Sequence, residues 1–100
     1  MPRTFSVSFA VSAVQDMEEI RNWYQEQHVP EIGEKLLREV MKSVERLASF
    51  PNSGRIVPEF GLTYLREVIL PPFRIVYRLD KKTIRIVRVW RSERLLTVSL

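Results

Sequence analysis

The sequence predicts an α+β domain: an N-terminal strand, a two-helix antiparallel hairpin and a three-stranded antiparallel meander, with the helices packed on one face of a four-stranded sheet. Three observations predict it. Apolar residues recur with a period of two near the N-terminus, at three- and four-residue steps from about residue 13 to 48, and with a period of two again from residue 64 onward. Turn-forming residues fall where the period changes. A chain of 100 residues with 45% hydrophobic side chains supplies one modest core and no second one, so one domain over residues 1–100 is expected.

The first strand rests on Phe5, Val7 and Phe9, which alternate with Ser6 and Ser8. Ser12 and Gln15 then form a capping-box pattern. Val14, Met17, Ile20 and Tyr24 follow at helical steps, with Asp16, Glu18 and Glu19 near the end where the helix dipole favours negative charge. This spacing predicts a helix from about Ala13 to Gln27. Pro30 restricts Val29 to extended backbone and suits the first turn of a new helix. Ile32, Leu36, Leu37, Val40, Met41, Val44, Leu47 and Ala48 draw its apolar stripe, with Glu34 and Arg38 one turn apart on the polar side. Two amphipathic helices joined so closely form an antiparallel hairpin that needs a sheet to cover it.

The stretch FPNSGRIVPEFG, with two prolines and two glycines in twelve residues, reads as an internal connection. Strands follow at Tyr64 to Leu70, Phe73 to Leu79 and Thr83 to Trp90, separated by Pro71-Pro72 and by Asp80-Lys81-Lys82. Alternation places Phe73, Ile75, Tyr77 and Leu79 toward the helices and Arg74, Val76 and Arg78 on the opposite side. In the last strand it groups Ile84 and Ile86 with Arg88 and Trp90, and Arg85 with Val87, Val89 and Arg91. The second face is thus half apolar, suits a partner, and is extended by Tyr64, Arg66, Val68 and Leu70.

Charge and composition narrow the function. Met1 to Gly54 carries six Lys/Arg and eight Asp/Glu, a net of −2, whereas Arg55 to Leu100 carries ten and four, a net of +6. One basic half is suited to phosphates or an acidic protein segment. The chain has no cysteine, so disulfides, thiolate metal sites and thiolate nucleophiles are excluded, which fits a cytoplasmic protein. Serines interrupt the apolar N-terminal stretch, and no run reaches the ~18–20 apolar residues of a membrane helix, so neither targeting peptide nor span is expected. His28 is the only histidine, stands far in sequence from the arginines and has no metal-ligand spacing. Neither a metal nor a cofactor is expected. Gly54-Arg55 lacks a phosphate-loop context and reads as a structural turn, and Ser92 and Glu93 have no histidine near them to complete a triad.

SFAVSAVQDMEEIRNWY, VMKSVERLASFPNSGRIVPE, YLREVILPPFRIVYRL and IRIVRVWRSERLL, in this order, resemble the successive blocks of the RelE/ParE superfamily of bacterial type II toxin–antitoxin toxins, from about Thr4 to Leu96. The specific parts are the Pro-x-x-Gly-Arg turn at Pro51 to Arg55, Leu65-Arg66-Glu67, and Phe73 to Arg78. The resemblance implies a toxin encoded beside a cognate antitoxin that neutralises it, in a toxin–antitoxin hetero-oligomer.

RelE-like members cut messenger RNA on the ribosome, and Arg66, Arg74 and one of Arg91 or Arg94 fall at matching places. Yet a guanidinium is a poor proton acceptor, no lysine lies between Ser43 and Asp80, and Leu95 and Leu96 replace the C-terminal aromatic. The remaining acid–base candidates are His28, Tyr64 and Tyr77, the last directed at the core. ParE-like members are more similar, in the long second helix, the Gly-Arg-x-Val-Pro-Glu loop and the arginine–leucine ending. That resemblance implies a non-enzymatic inhibitor of DNA gyrase that causes growth arrest and stabilises plasmids. Arg91, Arg94, Leu95, Arg74 and Arg88 are its expected target contacts. A ribosome-dependent endoribonuclease using Arg66, Arg74 and Arg91 is the alternative, and a binding module without toxicity a third.

Overall fold

The computed structural model describes residues 4–91. Five strands and two helices follow in the order β1 (Ser6–Phe9), α1 (Val11–Glu26), α2 (Pro30–Ser49), β2 (Arg55–Ile56), β3 (Leu65–Leu70), β4 (Phe73–Leu79) and β5 (Thr83–Arg91). The sheet order is β1-β5-β4-β3-β2, with β1 parallel to β5 and the other pairs antiparallel. The expected class holds, with one strand more than anticipated. Arg55 and Ile56 pair with Glu67 and Arg66, a two-residue strand too short to show a period.

The helices begin differently from the capping pattern. Helix α1 starts directly after β1, with Ala10 at its N-cap and no side-chain cap. The Ser12 hydroxyl is engaged elsewhere, donating to the Val87 carbonyl at 2.6 Å. Asp16 therefore lies beyond the first turn, which holds no acidic residue. Helix α1 ends in a Schellman arrangement: His28 sits at φ 63°, its amide donates to the Gln25 carbonyl, and the Val29 amide donates to that of Tyr24. The lone histidine thus occupies the left-handed position where glycine is usual. Pro30 opens α2 as expected. Glu34 pairs across the hairpin with Arg21 at 2.6 Å rather than along its own helix with Arg38. The helices approach closely at Gly33, where an added Cβ would lie 2.8 Å from the Tyr24 Cβ.

Two apolar clusters sandwich the sheet. The larger joins Ala13, Ile20, Tyr24, Leu37, Val40, Val44 and Leu47 of the helices to Phe73, Ile75, Tyr77, Ile84, Ile86 and Val89, with Phe5, Val7, Phe9, Val68, Leu70 and Leu79 packed around it. Burying each large side chain here contributes about 1.5–3 kcal/mol. The smaller cluster lies on the far face, where Val57 and Phe60 of the β2–β3 connection cover Leu65, Val76, Val87 and Trp90.

These clusters correct two face assignments. In β3, Val68 and Leu70 join the helix side, so Leu65, Glu67 and Ile69 supply the far face instead of Tyr64, Arg66, Val68 and Leu70. In β5 the register shifts: Val76 pairs with Arg88 and Tyr77 with Ile86, so Val87 is the extra residue of a bulge. Beyond the bulge the alternation inverts. Val89 joins Ile84 and Ile86 in the helix-side core, while Trp90 goes to the far face.

Candidate functional site

On the far face, Glu67 is fully buried between two arginines. Arg55 Nε donates to its Oε2 and Arg74 Nε to its Oε1, each at 2.7 Å. Arg74 also forks onto Glu59, at 2.9 and 3.1 Å. A bidentate guanidinium–carboxylate pair of this kind is strong and geometrically specific. It holds the Glu59 carboxyl below its ordinary range and raises the pKa of Arg74. Sequence alternation directs Arg74 outward, and the far face is indeed where it points. The β2–β3 connection covers it there, leaving it 7% exposed. As an exposed target contact, Arg74 is therefore corrected to a buried structural pair.

Arg88 is likewise committed. It makes a bidentate pair with the buried Asp16 at 2.8 Å twice, and its guanidinium stacks on Trp90 at 4.4 Å. The same carboxylate accepts the Val89 amide at 2.9 Å. Strand β1 pairs with β5 only as far as Ile86. Ser12 and Asp16 of α1 then satisfy Val87 and Val89 of the uncovered edge, so side chains of a helix replace the missing strand.

The helix-side face holds Tyr77, as expected. Its hydroxyl donates to the Pro51 carbonyl at 2.7 Å and accepts from the Gly54 amide at 3.0 Å. Burial pushes its pKa up, so it stays protonated at neutral pH and makes no useful base. Gly54 is required there, since an added Cβ would lie 2.6 Å from the Tyr77 hydroxyl and 2.7 Å from the Glu67 carbonyl. Arg66, directly across from Tyr77, donates to the Gly54 carbonyl at 3.0 Å, while its buried Nε has no partner. The Pro-x-x-Gly-Arg turn is thus the place where the loop after α2 is fastened to β3 and β4.

At the end of β5, Arg91 stacks at 5.3 Å on Trp23, an exposed residue of α1. A cavity of about 150 Å³ lies beside them, lined by Asp16, Glu19, Ile20, Val89 and Trp90 as well. Arg94 and Leu95, the other expected contacts, lie outside the described residues. The arginines of the endoribonuclease alternative are not brought together. Arg66 faces the helix side across from Tyr77; Arg74 faces the far side between Ile69 and Trp90; Arg91 lies across from Phe73. Along β4, Phe73 and Tyr77 are separated by about 13 Å. Among the described residues, no group of histidines or carboxylates is arranged to hold a metal ion, and no helix is long and apolar enough to cross a membrane.

Solved structures share this architecture. The chromosomal ParDE TA system from P. aeruginosa contains a chain 26% identical to this one, with a TM-score of 0.75, covering 90% of this chain and 98% of that chain. The RelBE2 toxin–antitoxin complex from Mycobacterium tuberculosis gives 18% identity and a TM-score of 0.66 over 93% and 98% of the two chains. The E. coli DinJ-YafQ complex gives 14% and 0.56 over 96% and 99%. No curated protein matches the sequence. Fold and arginine-lined sheet together define a toxin of the RelE/ParE superfamily. Residues 7–96 match the family described as "ParE toxin of type II toxin-antitoxin system, parDE", and the chain belongs to it.

Proposed function

We propose that this ParE-family protein arrests growth by inhibiting DNA gyrase in the cytoplasm, without enzymatic activity of its own, and that a cognate antitoxin neutralises it. The observation that carries the choice of target is the separation of the three arginines. An endoribonuclease would need Arg66, Arg74 and Arg91 around one scissile phosphate, but Arg74 faces away from Arg66 and is neutralised by Glu59 and Glu67, while Arg66 and Arg91 lie across from opposite ends of β4, at Tyr77 and Phe73. A barrier lowered by charge stabilisation requires those groups aimed at one point. The target contact is then assigned to the segment running on from Arg91, including Arg94 and Leu95, with Arg74 and Arg88 holding its base.

The antitoxin reading is supported by the ParDE, RelBE2 and DinJ-YafQ assemblies and by the exposed side of the helical hairpin. Val14, Met17, Leu37 and Met41 line a groove there of about 240 Å³, rimmed by Glu18 and Arg21. A second groove of about 390 Å³ adds Arg38 and Lys42. An amphipathic segment finds apolar burial on this surface and partners of both signs, Arg38 and Lys42 beside Glu34 and Glu45.

Purified protein added to gyrase and a supercoiling substrate is expected to inhibit turnover or to trap cleaved DNA, while ribosomes programmed with messenger show no new 3′ ends. Truncation after Arg91 keeps all of β5 and is expected to abolish inhibition without unfolding the core. Codon-positioned cuts on the ribosome, with gyrase untouched, would overturn the proposal.

A further inference from the structure

Arg78 of β4 and Arg85 of β5 stand directly opposite one another on the far face. Like charges in that position destabilise a strand pair. The register that buries Tyr77, Leu79, Ile84 and Ile86 on the other side forces them together. Their surroundings leave the repulsion largely uncompensated. Arg78 stacks on Tyr64 at 5.0 Å and has one loose ion pair, 3.8 Å to Asp80, in which both side chains are about half exposed. The side chains of Arg85, Lys81 and Lys82 are exposed and have no partner among the described residues. Four cations and one carboxylate therefore leave this end of the sheet with a net charge of +3.

The rest of the patch is hydroxylic. Ser6 and Ser8 of β1 lie across from Thr83 and Arg85 on the same face, and all four are exposed. The β2–β3 connection packs on Leu65, Val76, Val87 and Trp90 of this face and reaches this end at Tyr64, against Arg78, while Ser6, Ser8, Thr83 and Arg85 stay exposed. From this juxtaposition we infer that the Arg78–Arg85 end of the far face is a contact surface for the sugar–phosphate backbone of a nucleic-acid duplex.

Two features select that occupant. A peptide needs apolar anchors to bind, and Ser6, Ser8, Lys81, Lys82, Thr83 and Arg85 offer none. Arginine, lysine, serine and threonine are the side chains that hold phosphate oxygens without reading sequence. A single strand would need a series of open aromatic platforms for its successive bases, and this end offers one ring, Tyr64, on which Arg78 already stacks. The inference stands apart from the choice of target, though a gyrase inhibitor would gain from it a hold on enzyme-bound DNA.

The test is fluorescence anisotropy of a short labelled DNA duplex titrated with the full chain between about 50 and 200 mM salt. Sequence-independent binding is expected, with a log–log salt slope near −3.6 for about four phosphate contacts. The triple variant Arg85→Gln, Lys81→Gln, Lys82→Gln removes no intramolecular contact and is expected to melt normally, while its slope falls to about −0.9 and its affinity drops. A duplex RNA arm shows whether the surface distinguishes backbone forms; either duplex bound with that slope supports the inference. No binding at the lowest salt, an unchanged slope in the triple variant, preference for single strands, or loss of antitoxin affinity in place of duplex affinity would overturn it.

Discussion

Arg74 reaches Glu67 at 2.7 Å on the face of the sheet opposite Arg66, and Glu67 is left with no exposed side-chain surface. The buried carboxylate depends on this arginine more than on Arg55, whose side chain remains 60% exposed. Arg55→Ala is therefore the milder of the two substitutions. Arg74→Ala is predicted to cost up to about 3–5 kcal/mol by leaving the buried Glu67 with the exposed Arg55 as its remaining charged partner, and Arg55→Ala at most about 1 kcal/mol. Urea denaturation of both variants checks the ranking. Acid should separate them as well. The lowered pKa of Glu59 gives a contribution present above its ordinary value and lost as pH falls through the lower folded one. Arg74→Ala is expected to remove that part of the acid limb.

Tyr77→Phe keeps the ring in the core and deletes two hydrogen bonds, leaving the buried Gly54 amide without an acceptor. A loss of about 1–3 kcal/mol is expected. Because burial raises the hydroxyl's pKa, folding favours the protonated form. The wild-type contribution is full below the ordinary value of 10.0 and disappears as pH climbs through the raised one. Denaturation midpoints on both sides of that value should therefore converge for wild type and variant at high pH.

His28 provides the opposite kind of test. A non-glycine residue at φ 63° pays a conformational cost that glycine does not, and the Schellman hydrogen bonds use only its backbone. His28→Gly is predicted to raise stability by about 0.5–1 kcal/mol, and to leave the proposed gyrase inhibition unchanged. A lower melting temperature or lost inhibition would give the imidazole a role beyond the turn.

Asp16 ties α1 to β5 through Arg88 and the Val89 amide. Asp16→Ala leaves a partly buried guanidinium and a buried amide unpaired, and a loss of about 3–5 kcal/mol is expected. Asp16→Asn keeps an oxygen for the amide and should fall between the two. Amide hydrogen exchange at Val89, faster in Asp16→Ala than in Asp16→Asn, would locate the effect at the strand edge.

Local periodicity determined much of this protein. The order of strands and helices apart from β2, the start of α2 at Pro30, and the core-facing set Phe73, Ile75, Tyr77 and Leu79 could all be read from the sequence, because amphipathic spacing is written within a few residues. The motif at Pro51 to Arg55 marked the family, and the structure gives its reason in the close approach of Gly54 to Tyr77.

What only the tertiary structure decided depends on partners distant in sequence. The bulge at Val87 inverts the faces of Val89 and Trp90 with no turn residue to announce it. Asp16 reads as a helix-dipole residue until Arg88, 72 positions away, is placed beside it. Arg74 reads as an exposed cation until β3 supplies Glu67 and the connection supplies Glu59. A side chain's alternation fixes the face it occupies, but strand register and loop path fix what covers that face. Long-range contacts set both, so the same arginine pattern yields buried ion pairs at one end of the sheet and an exposed cationic surface at the other.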